Sequence, residues 1–150
     1  MNNMNYYVGE VKLTYNKKST ETRFAHSPKD AYELFLSTYE EDGDIEYRES
    51  FKVLFLNQAQ KVLGWTVISK GGITETPADV RMIMQSALLC NATCIMLCHN
   101  HPSGNLNPSR DDDKLTEKIR KACEIMRIYL MDHLIISENG YYSYRERGRI

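Results

Sequence analysis

The chain has 150 residues, 19 Lys plus Arg against 20 Asp plus Glu, a net charge of −1 and 42% hydrophobic residues. That is one domain's worth of chain, and a core of this size buries about 68–70% of the surface its unfolded chain exposes, so folding requires no disulfide or structural metal. The balanced charge excludes a purely basic DNA-binding module, because nonspecific nucleic-acid affinity comes from Lys and Arg neutralising phosphates.

The amino terminus, MNNMNYYVGEVKL, has no basic stretch followed by an apolar one. No run approaches the roughly 18 apolar residues of a membrane span, so the expectation is a soluble, cytoplasmic protein with no membrane partner. Alternating residues at 11–15 and 20–24, with the turn-like Asn16-Lys17-Lys18-Ser19 between them, predict a hairpin. Ser27-Pro28-Lys29-Asp30 then reads as an N-cap, a Pro at the first helical position and an acid at N3, ahead of Ala31, Leu34, Phe35 and Thr38 on one helical face. That helix is expected to end in the acidic stretch 40–44, a linker that divides the chain into a ββα extension over 1–44 and a larger core over 45–150.

The core starts with a strand over 51–56 and returns through Asn57-Gln58-Ala59-Gln60 to a second over 62–68. Thr76-Pro77-Ala78-Asp79 repeats the capping pattern before a stripe of Val80, Ile83, Met84, Ala87 and Leu88. Residues 94–98 are apolar on both faces, as a central strand requires. After a polar loop over 100–108, Leu115, Ile119, Ala122, Cys123 and Met126 mark another amphipathic helix. Strand-like segments at 128–130 and 134–136 follow, and Asn139-Gly140 turns the chain into 141–144. The core order is β-β-α-β-α-β-β, an α/β pattern. Tyr6-Tyr7 and Tyr141-Tyr142 read as exposed ends available to an interface, with the oligomeric state left open.

The four cysteines, Cys90, Cys94, Cys98 and Cys123, read as reduced core residues in a chain without a secretion signal. A zinc cluster from Cys94, Cys98 and neighbouring histidines is the rival, but no second Cys pair follows.

The dense spot is the stretch 99–112, His99-Asn100-His101-Pro102-Ser103-Gly104 through Ser109 and Asp112. Histidines at i and i+2 on a strand point to the same side, so His99 and His101 at the mouth of a buried strand can reach one ion. Asp112 falls in the first turn of the next helix, where a carboxylate can turn back to them. Two imidazoles and a carboxylate form a catalytic zinc set whose fourth position is open to water. Against this, Ser109-x-x-Asp112 is also a plain capping pattern, used at Ser27 and Thr76 without a His-x-His ahead of it. His99-Asn100-His101 spells the letters of the HNH nucleases, but in those enzymes the three residues are scattered. Zinc deaminases need a His-x-Glu and a Pro-Cys-x-x-Cys, which the chain lacks. Asp132-His133 is a second Asp/His pair, but neighbours on a strand point to opposite faces and cannot share an ion, so it reads as structural support.

The string His-x-His, seven residues, Ser, two residues, Asp resembles the JAMM motif of JAB/MPN-domain metalloproteases. With Pro108-Ser109, Asp132-His133 and Tyr142-Ser143, the chain over about 46–150 resembles the RadC family in particular. The resemblance implies a cytidine-deaminase-like mixed sheet flanked by helices, with Zn2+ held by His99, His101 and Asp112. It implies that Ser109 holds or polarises the water and the reacting oxygen, and that Glu49 is the general acid/base, preferred to Glu46 and Glu75 because it begins the strand beside the metal strand. The activity it implies is hydrolysis of an amide or isopeptide-like bond in a peptide or protein substrate.

Two departures stand beside the resemblance. Where the family commonly has Pro-Arg-Glu, this chain has Pro77-Ala78-Asp79, so one basic side chain is missing. Where relatives often carry a helix-hairpin-helix region of DNA-binding type, the short ββα element is expected instead. The alternative function is a non-catalytic accessory module in DNA repair or mobile-element metabolism. It would draw on Arg110, Lys114, Lys118, Arg120, Lys121, Arg145, Arg147 and Arg149, although interspersed Asp111, Asp113, Glu117 and Glu124 make a solvated face the simpler reading.

Overall fold

In a computed structural model that describes residues 9, 11, 12, 15, 21–71 and 78–150, the first helix starts where its cap predicts. In α1 (Pro28–Asp42), Ser27 Oγ accepts the Asp30 N–H at 3.1 Å, and Gly43, at φ 69°, closes the helix in the left-handed conformation. Its buried stripe is Ala31, Phe35, Thr38 and Tyr39. The predicted turn at 16–19 lies outside the described residues. Of the predicted strand that follows, 21–24 carry one isolated bridge, Phe24 to Lys61.

Strands β1 (Ser50–Leu56) and β2 (Val62–Lys70) pair antiparallel, joined by a turn in which Asn57 Oδ1 accepts the Ala59 and Lys61 N–H groups at 3.0 Å each. Helix α2 (Val80–Leu89) is capped by Asp79 itself, whose Oδ1 accepts the Arg81 N–H at 2.9 Å. The expected cap, Thr76, lies outside the described residues. Then come β3 (Cys94–Asn100), α3 (Arg110–Ile125), β4 (Tyr129–Ser137) and β5 (Gly140–Ser143). The two predicted segments at 128–130 and 134–136 are one strand. A bulge merges them: Ile95 pairs with Leu130 but Met96 with Asp132, so Met131 is the extra residue.

The sheet order is β2-β1-β3-β4-β5, with β3 and β4 parallel and the other neighbours antiparallel. This is the mixed, helix-flanked α/β sheet expected of a JAB/MPN domain. Strands β1 and β3 are buried along their whole lengths, because helices cover both faces. One face carries Phe51, Val53, Phe55, Ile95 and Leu97 against α2 and α3; the other carries Leu54, Leu56, Cys94, Met96 and Cys98 against α1. Each fully buried large apolar side chain contributes about 1.5–3 kcal/mol. Among the described residues, no helix is long and apolar enough to cross a membrane.

Candidate metal centre

Alternation along β3 decides which side chains meet. Cys94, Met96 and Cys98 point to α1, so His99 points with Ile95 and Leu97 to the α2/α3 face. His101 lies one residue past the strand end with the same parity. Cys94 and Cys98 are thereby separated from the histidines by the sheet. All four are free and buried, and burial pushes the Cys94 thiol up to about 11, far from the thiolate that zinc requires.

Register delivers Glu49 to the same place. Phe51 pairs with His99 across the antiparallel β1–β3 ladder, and Glu49 lies two residues before Phe51, on its face. Its Oε1 is 3.7 Å from His101 Nε2. Glu46 is exposed and interacts instead with Glu138. Glu75 lies outside the described residues.

Helix α3 supplies the carboxylate through its capping box. Ser109 Oγ accepts the Asp112 N–H at 3.0 Å, and the Ser109 N–H donates to Asp112 Oδ2 at 2.8 Å. The capping reading and the metal reading of Ser109-x-x-Asp112 are therefore compatible: the cap aims the carboxylate. Asp112 Oδ1 lies 3.1 Å from His99 Nε2, and Oδ2 lies 3.4 Å from His101 Nε2. Burial alone would raise the Asp112 pKa, but hydrogen bonds with His101 and His99, the His99 charge and the Ser109 N–H outweigh it and hold the carboxyl well below its usual range.

The two histidines face each other through Nε2, 3.1 Å apart. His101 Nδ1 lies 2.5 Å from the Asn105 carbonyl oxygen, which can only accept, so Nδ1 carries the proton and a neutral ring leaves Nε2 bare. Gly104, at φ 82°, lets the loop double back, with its N–H donating to His101 O at 2.9 Å. Burial lowers the His101 pKa, but the Asp112 hydrogen bond, the Asn105 carbonyl and the charges of Asp112 and Glu49 outweigh it and raise it overall. One ligand atom from each of His99, His101 and Asp112 falls within 4.8 Å of the others, a set that could hold a metal ion. Two convergent imidazole nitrogens beside a carboxylate form an electron-rich pocket that fits a divalent cation.

Four residues support the cluster from outside it: Asn100, the Asp132-His133 pair already noted in the sequence, and Tyr144. Asn100, the middle letter of His-Asn-His, points to the opposite face and binds the segment that presents Glu49. His133 sits on β4 with its Nε2 at 2.8 Å from His99 Nδ1 and its Nδ1 at 2.6 Å from Thr116 Oγ1. Asp132 points away from it, as strand parity requires, and accepts from Ser143 Oγ at 2.5 Å and from the Arg145 N–H at 3.0 Å. Tyr144 stacks on His133 at 5.0 Å and donates to Asp113 at 2.7 Å. Of the basic residues noted above, Arg120 pairs with Glu117 and Glu124, and Arg149 pairs with Asp113. Tyr141 and Tyr142 are part-buried rather than exposed, because Tyr141 packs on Tyr32.

The family model described as a RadC-like JAB domain matches residues 25–149. A UPF0758 protein of Flavobacterium johnsoniae is 45% identical over 122 residues, covering 81% of this chain and 52% of its own. A UPF0758 protein of Aquifex aeolicus is 34% identical over 139 residues, covering 92% of this chain and 58% of its own. A third, from Porphyromonas gingivalis, is 44% identical over 102 residues, 67% of this chain and 45% of its own. The chain spans about half the length of the curated relatives it matches. With most of its length matched and its histidines and aspartate gathered at one strand end, the chain belongs to the RadC-like JAB domain family.

Proposed function

We propose that this chain is a zinc-dependent hydrolase of the JAMM type, cleaving an amide or isopeptide-like bond in a peptide or protein. The observation that carries the reading is the convergence of His99, His101 and Asp112 with Glu49 Oε1 at 3.7 Å from His101 Nε2. His99, His101 and Asp112 would hold the ion. Zinc, when bound, acidifies water from about 15.7 toward about 7 and polarises a carbonyl oxygen.

The chain's own groups do the rest. Glu49, half-buried beside the cluster, takes the proton from the attacking water and passes it to the leaving amine. Ser109 Oγ accepts from the Asp112 N–H and so keeps its own proton free to donate to the oxyanion that forms on the carbonyl. Asp112, held ionised at neutral pH, balances the positive charge of the ion.

The test is a panel of peptide and isopeptide-linked substrates with zinc-supplied native protein and Glu49→Gln. The variant should retain zinc and lose activity by about 10²–10⁴-fold. Full activity in Glu49→Gln would show that another group is the base.

A further inference from the structure

His133 is fully buried, outside the cluster of three ligands, yet both ring nitrogens make short polar contacts. Four groups are joined by successive contacts: His99 Nδ1 is 2.8 Å from His133 Nε2, His133 Nδ1 is 2.6 Å from Thr116 Oγ1, and Thr116 Oγ1 is 2.7 Å from the Asp112 carbonyl oxygen. Contacts this short between electronegative atoms each require a proton.

Counting protons gives the chain a direction. The Asp112 carbonyl has none to give, so the single Thr116 hydroxyl proton lies on that contact. Thr116 Oγ1 then offers only lone pairs to His133, and the proton between them belongs to His133 Nδ1. Among the described residues no carboxylate touches the His133 ring, and its burial disfavours the charged form, so it is neutral and its Nε2 is bare. The proton between the two imidazoles must therefore sit on His99 Nδ1, so that in the neutral His99 ring Nε2, which faces His101 and Asp112, is the nitrogen available to an ion. The reverse direction would put a proton on His99 Nε2 and leave the 2.7 Å contact between Thr116 Oγ1 and the Asp112 oxygen without one.

We propose that Thr116 and His133 form a proton-ordered relay that fixes His99 as its Nδ1–H tautomer and thereby sets the affinity of the site for a divalent cation. Both are positioning residues, acting through His99, and the proposal rests on the reading of the three-residue cluster as a metal centre. The relay is closed on itself: it begins at the ligand His99 and ends on the backbone of the ligand Asp112, so one proton order ties β3, β4 and α3 together at the site. Phe51 and Tyr144, whose rings pack on His133, shield it from water.

The experiment has two readouts. Zinc affinity is measured by chelator competition on the native chain, Thr116→Val, Thr116→Ser and His133→Phe, each checked for folding by circular dichroism. Thr116→Val keeps the side-chain shape and drops the hydroxyl, and should weaken zinc binding about 10–100-fold, as should His133→Phe, while Thr116→Ser should restore native affinity. Nitrogen NMR of the zinc-free native chain should show His133 protonated at Nδ1 and bare at Nε2. Unchanged affinity in folded Thr116→Val, or a His133 proton on Nε2, would overturn the relay. A native chain that binds no zinc while keeping the His133 Nδ1 proton would overturn the metal-centre reading, and with it the effect assigned to the relay.

Discussion

Asn100 holds Ser50: its Oδ1 accepts the Ser50 N–H at 2.9 Å, while its Nδ2 donates to Ile45 O at 2.7 Å and Arg48 O at 2.9 Å. The three contacts strap the segment carrying Glu49 onto the end of β3. Strand parity makes this division of labour, with His99 and His101 turned to one face and Asn100 to the other. The end of β3 thus carries the two histidines of the candidate metal cluster and clamps the segment of Glu49, the proposed acid/base.

Asn100→Ala should therefore separate zinc binding from hydrolysis. The substitution orphans buried backbone groups, at roughly 1–3 kcal/mol each, and releases the Glu49 segment. Denaturant melts should show lower stability, hydrolysis should fall, and zinc content should stay at the native level because His99, His101 and Asp112 are untouched. Native stability in this variant, together with lost zinc, would contradict the clamp.

Zinc affinity should depend on pH through His101. A protonated imidazole cannot ligate, and the metal-free His101 pKa lies above 6.5 because Asp112, Asn105 and Glu49 outweigh burial. The sign is fixed: the dissociation constant is flat at alkaline pH and begins to rise as pH falls through that raised value. Asp112 stays ionised throughout this window. Chelator competition across a pH series measures the break. A first break near ~4, in the carboxylate range, would contradict the assignment.

On the other face of the sheet, Lys52 is fully buried, with Nζ 2.8 Å from Asp42 Oδ2, 3.0 Å from Thr38 Oγ1 and 3.8 Å above the Tyr39 ring. Removing one member of a buried pair costs up to roughly 3–5 kcal/mol, and this one costs less because the Asp42 side chain is 28% exposed. Asp42→Asn strands the ammonium and should destabilise more than Lys52→Met, which leaves Asp42 free to hydrate. The Lys52 hydrogen bond lowers the Asp42 pKa from 3.8. A depressed carboxylate contributes stability that is present above the unfolded value and lost as pH falls through the lower folded one. Denaturant titrations of both variants check the order, and Lys52→Met as the more damaging change would refute it.

What the sequence made legible was what periodicity and caps encode. The His99/His101 parity, the Ser109–Asp112 cap and the β-β-α-β-α-β-β order all follow from local spacing, and the structure has each of them. The position of His133 does not follow from spacing. Regular alternation places it opposite Leu130, and only the bulge at Met131 turns both toward α2 and α3, where His133 meets His99. A bulge is set by pairing with β3, a partner far away in sequence. Asn100 was hidden for a similar reason: its three hydrogen bonds go to residues about fifty positions earlier, and nothing local distinguishes it from a polar loop residue. The Asp79 cap was masked by an equally good Thr76 pattern three residues upstream.

If His99, His101 and Asp112 together hold zinc, elemental analysis of bound metal will show it. The native chain, supplied with zinc at neutral pH, should carry about one ion per chain, and His99→Ala, His101→Ala and Asp112→Ala should each fold and lose it. A native chain that carries no zinc under those conditions, or folded variants that all keep it, would rule out a zinc site built from these three residues.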